Sequence, residues 1–216
     1  MTRADIAALS GQGAPASLVA CDLEEADLSG LDLSGWVFER CSLRRTHLTG
    51  SSLEATRWTG CRGGFADFVG ADLTEATIGS SDFNNTNFRG VKLSAATVRG
   101  CKMTGANFAE AQTLGAVFEE TLFIDAKLPS FIFRKQTLKR LDFGQADLRK
   151  CDFREAVLEA CSLRDAHLAD ARFEGADLRG ADLGGIRLID ASAFRGAIIS
   201  RGQAGQLLAE LGLTVR

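Results

Sequence analysis

The sequence predicts an all-β solenoid: a four-sided coil whose turns stack like parallel strands, ended by a short C-terminal helix. Three observations predict it. A large apolar residue recurs every fifth position from Leu23 to Leu188, and of 34 consecutive register positions only Gly63 and Thr113 are not apolar. Two residues before each centre the side chain is small, with Ala, Ser, Thr, Cys or Val in 28 of those 34 places. Cys21, Cys41, Cys61, Cys101 and Cys161 all fall on that small position at separations that are multiples of 20, so four five-residue units close one coil. A period of five belongs to neither α-helix nor β-strand, and a short repeat of this regularity marks a solenoid.

Residues 1–15 lack the repeat and carry Gly11, Gly13 and Pro15, which predicts an N-terminal arm or loose cap. The coil proper is expected over residues 16–198. Each unit offers two inward positions: the large side chain stacks along the axis, and the small one lets the backbone approach the core. Asp stands immediately before the centre 11 times, from Asp22 to Asp182, and polar residues and Gly follow it. Asp, Asn and Gly tolerate the backbone conformations of corners. Positions 37, 57, 77, 97, 117, 137 and 157 read Val, Arg, Thr, Thr, Val, Thr and Val, mostly β-favouring residues that suit one flat wall. The inward cysteines read as small core residues. A disulfide ladder is disfavoured because parallel side chains seldom reach the required dihedral. About eight to nine coils at about 4.8 Å spacing predict a rod on the order of 40 Å long.

Three stretches depart from the pattern. Residues 62–65 lose the centre at Gly63 and place Phe65 outside. At 111–115, Thr113 replaces the centre beside Leu114. At 129–141, Phe131, Gln136 and Leu141 stand where small residues belong, and they are expected to bulge the wall or turn outward. Leu31, Trp36 and Ile186 also occupy small sites.

Over residues 199–216 the repeat gives way to a helix, with Ser200 as N-cap and Gly212 as its end. Ala204, Leu207, Leu208 and Leu211 fall on one face, and Leu213 and Val215 follow with strand-like alternation. So short a helix is not stable alone. Its apolar face is expected to plug the coil, and Ile198, Ile199, Ala204, Leu207, Leu208, Leu211, Leu213 and Val215 are the candidates for pairing with a second copy.

Nothing in the chain assembles a reaction centre. His47 and His167 lie on one outward column six coils apart, roughly 29 Å, and cannot share a metal. The cysteines show no CxxC spacing, there is no phosphate-binding Gly-Lys-Ser/Thr loop or GxSxG turn, and Tyr is absent. The expectation is a protein that is not an enzyme and holds no cofactor or metal. A net charge of −3, from 25 basic and 28 acidic residues, predicts neither direct nucleic-acid binding nor a membrane surface role. No stretch is apolar enough to span a bilayer, and residues 1–20 lack a signal pattern, which favours the cytoplasm. The aspartates form columns: Asp27, Asp67 and Asp147; Asp22, Asp82, Asp142 and Asp182; Asp32, Asp72 and Asp152. Asp27, Asp67, Asp142, Asp147, Asp152 and Asp182 are the candidates for an acidic partner-binding face.

The units Ala-Asp-Leu-Ser-Gly at 26–30, Ala-Asn-Phe-Ala-Glu at 106–110 and Ala-Asp-Leu-Arg-Gly at 176–180 resemble those of pentapeptide repeat proteins, over roughly residues 16–190. That resemblance implies a right-handed quadrilateral parallel β-helix. The tail from Ile199 to Val215 is similar to the C-terminal dimer segments of quinolone-resistance members, which implies a homodimer. The same resemblance, to the Qnr and MfpA types and to immunity proteins of bacteria that make gyrase poisons, implies a DNA mimic that binds DNA gyrase, and topoisomerase IV as its relative. The register never slips, so no long inserted loop of the Qnr type is expected. The alternative is a structural or adaptor rod that binds a protein without a topoisomerase role, because the repeat encodes a shape rather than a chemistry.

Overall fold

The computed structural model describes residues 1–186, 191–210 and 212–214 and is a right-handed, four-walled parallel β-helix with a short C-terminal helix. It divides into two compact units, Met1–Leu122 and Phe123–Arg216.

In the first unit every backbone pairing joins residues 20 apart. One ladder joins Asp22, Ser42, Arg62, Asp82, Lys102 and Leu122 (wall one). Wall two joins Asp27, His47, Asp67, Asn87 and Asn107, and wall three joins Asp32, Ser52, Asp72, Lys92 and Gln112. Wall four consists of short strands: β1 (Ser17–Val19), β2 (Val37–Glu39), β3 (Arg57–Thr59), β4 (Thr77–Gly79), β5 (Thr97–Arg99) and β6 (Val117–Glu119), each parallel to the next. The wall with the Val- and Thr-rich column is thus the one that pairs in runs of three. Between walls two and three the chain turns through the left-handed region at Gly30, Gly50, Gly70 and Gly90, with φ of 67°, 62°, 64° and 64°. A side chain is disfavoured in that conformation, which is why this corner favours glycine.

The interior is a set of stacks. Phe38 lies 3.9 Å from Trp58 with planes 4° apart, and Phe68, Phe88 and Phe108 follow one another at 5.0 and 4.8 Å. Each such side chain contributes roughly 1.5–3 kcal/mol through burial. All six cysteines are free thiols, Cys21 partly exposed and the other five buried.

An open first coil would leave carbonyl groups unpaired. Helix α1 (Arg3–Ser10) covers them. Thr2 caps it: its hydroxyl accepts the Asp5 N–H (3.3 Å), and the Asp5 carboxylate accepts the Thr2 N–H (2.8 Å). Ile6 is fully buried over the coil mouth. The Met1 ammonium donates to the Asp22 carbonyl (2.8 Å), Arg3 to those of Asp27 (2.7 Å) and Ser29 (3.0 Å), and Ser10 Oγ to that of Asp32 (2.6 Å). Where an arm or loose cap is expected from the sequence, the structure has a helix bonded to the coil.

The second unit repeats the plan. Wall two joins Lys127, Asp147 and His167; wall three joins Ile132, Asp152 and Arg172; wall one pairs Asp142 with Ser162. Strands β7 (Thr137–Lys139), β8 (Val157–Ser162) and β9 (Asp177–Asp182) form wall four, the last two running on through the corner with a register irregularity. Phe133, Phe153, Phe173 and Phe194 stack at 4.9, 4.7 and 4.8 Å. Helix α2 (Arg201–Glu210) closes the end. Ser200 and Gln203 cap it reciprocally: the Gln203 N–H donates to Ser200 Oγ (3.2 Å), and the Ser200 N–H to Gln203 Oε1 (2.6 Å). Gln203 Nε2 then donates to the carbonyls of Leu178 and Ala181, 2.7 Å each, and the buried Leu207 lines a small apolar cavity with Leu178, Leu183, Ile186 and Phe194. Gly212, at φ 79°, ends the helix as expected, with N–H bonds from Gly212 to the Ala209 carbonyl and from Leu213 to that of Leu208. Leu188, Leu211 and Val215 lie outside the described residues.

One expectation about the irregular stretches needs correction. Phe131 and Leu141 do not turn outward or break the wall: they are 2% and 1% exposed, and their carbonyls still accept the N–H groups of Asp152 and Ser162 at 2.9 Å. Room exists because the next coil offers only Cys151 and Cys161 at those places, and Phe131 lies 5.7 Å from Phe133. Gln136 is half-buried, with Nε2 donating to the Ile132 carbonyl (3.3 Å). Trp36 likewise points inward, against Phe38 at 6.3 Å. At Gly63 the missing centre is supplied from the coil beyond: a Cβ there would stand 2.2 Å from the Phe83 ring. Leu114, beside Thr113, is 84% exposed.

Candidate functional site

The repeat places each Asp on the outer surface one residue before a buried centre. Its Oδ1 then accepts the N–H two residues on. Asp27 takes that of Ser29 (3.0 Å), Asp67 that of Val69 (3.1 Å) and Asp142 that of Gly144 (2.9 Å). These bonds hold the carboxylates outward. The Ser29 N–H holds the Asp27 carboxyl below its ordinary value, and the hydroxyl and N–H of Ser34 do the same for Asp32.

The residue that donates this N–H divides the six candidate aspartates. Asp27 and Asp67 face Ser29 and Val69, so their charge stays on the surface, apart from a contact of Asp27 with Arg3 at 3.3 Å. In the second unit that residue is repeatedly arginine. Arg149 grips Asp147 through Nε (2.8 Å) and Nη2 (2.7 Å), and Arg154 and Arg179 grip Asp152 and Asp177 in the same way. Arg164 reaches Asp182 at 2.8 Å. The guanidinium of Arg149 pushes the Asp147 carboxyl down, as Arg154 does for Asp152. The signal is legible as Asp-x-Arg within one unit. It is missed when aspartates are read only as columns along the axis. By sequence the first unit carries 15 acidic and 10 basic residues, and the second 13 and 15.

Burial acts against the thiolate of the cysteines deepest in the second half of the column and of Cys101. Burial pushes Cys151 up to about 12 and raises Cys101 and Cys161. Cys41 and Cys61 lie in neighbouring coils with their thiols pointing at the carbonyls of Leu18 and Phe38, 3.3 Å each, and burial acts against the charged form of both. Among the described residues, no group of three or more His, Cys, Asp or Glu side chains is placed to hold a metal, and no helix is long and apolar enough to cross a membrane.

At the C-terminal end the candidates for self-association separate into two sets. Leu207 is buried against the coil and Ala204 is half-buried. Ile198, Ile199, Leu208 and Leu213 are 48%, 37%, 39% and 55% exposed.

A family model described as pentapeptide repeats matches in 8 copies, over residues 16–62, 66–105, 116–154, 137–168 and 146–192. The unmatched stretches 63–65 and 106–115 contain the two interrupted centres, Gly63 and Thr113. Curated protein sequences give no match. Among solved structures, a trypsin-treated QnrB1, described as a plasmid-mediated fluoroquinolone resistance protein, is similar at a TM-score of 0.77 and 21% identity, over 94% of this chain and 100% of that one. Full-length QnrB1 gives 0.61 at 19% identity, over 92% and 98%. HetL, from the cyanobacterium Nostoc sp. strain PCC 7120 and described as involved in heterocyst differentiation regulation, gives 0.52 at 20%, over 91% and 94%. At these identities the likeness is one of fold.

Proposed function

The chain belongs to the pentapeptide repeat family, and on that premise we propose that it is a non-catalytic protein that binds DNA gyrase or topoisomerase IV as a DNA mimic and alters the response to gyrase-targeting antibiotics. The observation that carries the reading is the match to QnrB1, which spans the whole of the trypsin-treated chain of a fluoroquinolone resistance protein. Carboxylates held outward at regular coil spacing supply the chemistry that a DNA-gripping surface recognises. A supercoiling assay with purified gyrase, with and without ciprofloxacin, tests it. The expected result is a shift in supercoiling activity or in the drug's inhibitory concentration. An unchanged reaction at micromolar protein rejects the reading.

A second reading, an adaptor that binds a protein other than a topoisomerase, has its own support. Asp147, Asp152 and Asp182 are neutralised by arginine, which weakens a DNA-like field on the second unit. HetL shows the same fold in a protein described as regulatory. A binding partner recovered by pull-down that is not a topoisomerase, with gyrase unaffected, would select this alternative.

Self-association through the C-terminal end belongs to the same proposal. Ile198, Ile199, Leu208 and Leu213 supply an exposed apolar surface beside α2. Deleting the tail would also remove the Leu207 and Gln203 plug, so the better test changes exposed positions alone. Leu208→Glu with Leu213→Glu should convert a dimer to a monomer by light scattering while leaving the β-sheet circular dichroism intact. A native protein that already runs as a monomer would end the dimer proposal.

A further inference from the structure

Phe65 is 57% exposed at the corner between walls one and two of the first unit, with φ at 62°. Among the 22 described non-glycine residues with positive φ it is the one large apolar side chain. The left-handed region disfavours an aromatic residue, and an exposed corner returns little by burial. Folding alone therefore gives no reason for a phenyl ring there. Leu114, 84% exposed, stands at the far edge of wall three.

Walls two and three lie between these edges. Wall two carries Asp27, Asp67 and Glu110 with Arg89; wall three carries Asp32, Glu54, Asp72 and Glu75 with Lys92. Seven carboxylates against two cations leave an excess of five negative charges on two adjacent walls, or four once Arg3 of α1, paired with Asp27 at 3.3 Å, is counted. Walls one and four of the same unit carry seven carboxylates and seven cations, which cancel. Among the described residues Asp32, Glu54, Asp67 and Glu75 have no ion-pair partner. The charge is thus one-sided and bounded on both edges by an exposed apolar side chain.

We propose that walls two and three of the first unit dock into a cationic groove of the partner protein, with Phe65 entering an apolar pocket at the groove's rim. The inference rests on the topoisomerase reading and names the surface involved. A groove built to hold duplex phosphates presents the complementary charge. The carboxylates steer the approach, and the ring anchors the contact.

The test uses the full-length protein, immobilised gyrase and surface plasmon resonance at two salt concentrations. One variant combines Asp32→Asn, Glu54→Gln, Asp67→Asn and Glu75→Gln. It keeps the turns, since Asn87 and Asn107 already accept the same N–H two residues on, at 3.3 and 3.1 Å. A second is Phe65→Gly, which relieves the corner and should not lower the unfolding temperature. A control on wall one combines Glu24→Gln, Glu25→Gln and Asp82→Asn. Native binding should weaken as salt rises. The neutralised variant should bind roughly tenfold more weakly or worse, and Phe65→Gly should lose roughly tenfold, while the control binds like the native protein. Native binding that neither variant affects, or that the control lowers equally, overturns the surface and leaves the topoisomerase reading standing. No binding by the native protein overturns both.

Discussion

The two units have interiors of the same plan and differ on their outer surfaces. Both stack phenylalanine at about the same distance, Phe88 on Phe108 at 4.8 Å and Phe153 on Phe173 at 4.7 Å. Both return to the same wall after 20 residues. On their outer surfaces the residues of walls two and three of the first unit carry a formal excess of five negative charges, whereas the same register positions of the second, over residues 126–175, carry five carboxylates and seven cations. Two inward positions of every five maintain the coil, and the three outward ones are free to vary without touching it. The coil itself therefore carries no information about the partner, and the charge pattern on the walls does.

If the interiors are equivalent, equal cavities should cost both units alike. Phe88→Ala and Phe153→Ala each remove a fully buried ring from the middle of a stack, and each should cost about 3–5 kcal/mol. Denaturant unfolding followed by circular dichroism measures it. Stability in a solenoid is approximately a nearest-neighbour sum. A loss in one unit but not the other would show that the shared stacking distance hides a difference in packing.

The next effect is smaller and has the opposite sense to a sequence-only repair. Gly63→Leu restores the missing centre of the five-residue pattern, yet a Cβ there stands 2.2 Å from the Phe83 ring. Overpacking should cost about 1–3 kcal/mol. A stabilised variant would mean that the ring moves aside freely, and that the first unit is more loosely packed than its second-unit counterpart.

Gly63 also marks how far the sequence is legible. The period, the 20-residue coil, the inward cysteines, the β-favouring wall and the Ser200 and Gly212 ends of α2 follow from residue size and position along one unit. What does not follow is compensation between coils. The Phe83 ring filling the space at Gly63, and the fit of Phe131 and Leu141 over Cys151 and Cys161, depend on side chains 20 residues away. Helix α1 carries a local signal, Thr2-x-x-Asp5 before Ile6, but is obscured by the glycines that follow. At the candidate surface the columns of aspartate are legible along the axis, and the neutralising cation of Asp147 and Asp152 is legible only across it, two residues on in the same unit, while that of Asp182 comes from Arg164 in the coil before.

That arrangement yields the smallest effect and the sharpest contrast between the units. In Asp147, Asp152 and Asp177 the arginine two residues on depresses the carboxyl below the ordinary 3.8. A depressed carboxyl stabilises the fold above the unfolded-state value, and this contribution is lost as the pH falls through the folded-state value. Replacing Arg149, Arg154 and Arg179 together with glutamine removes the cations but keeps the N–H bonds, so the three aspartates should then behave like Asp27 and Asp32 of the first unit. The guanidinium groups of Arg149 and Arg179 are largely exposed, so solvent screens each pair and its contribution to stability should be small. The difference in unfolding temperature between native and triple variant should be greatest near neutral pH, shrink below the ordinary aspartate value and vanish once the native carboxyls protonate. A difference that persists unchanged at acid pH would assign the arginines' contribution to packing of their aliphatic stems rather than to charge, and the contrast between the outer surfaces of the two units would then have no electrostatic content for folding.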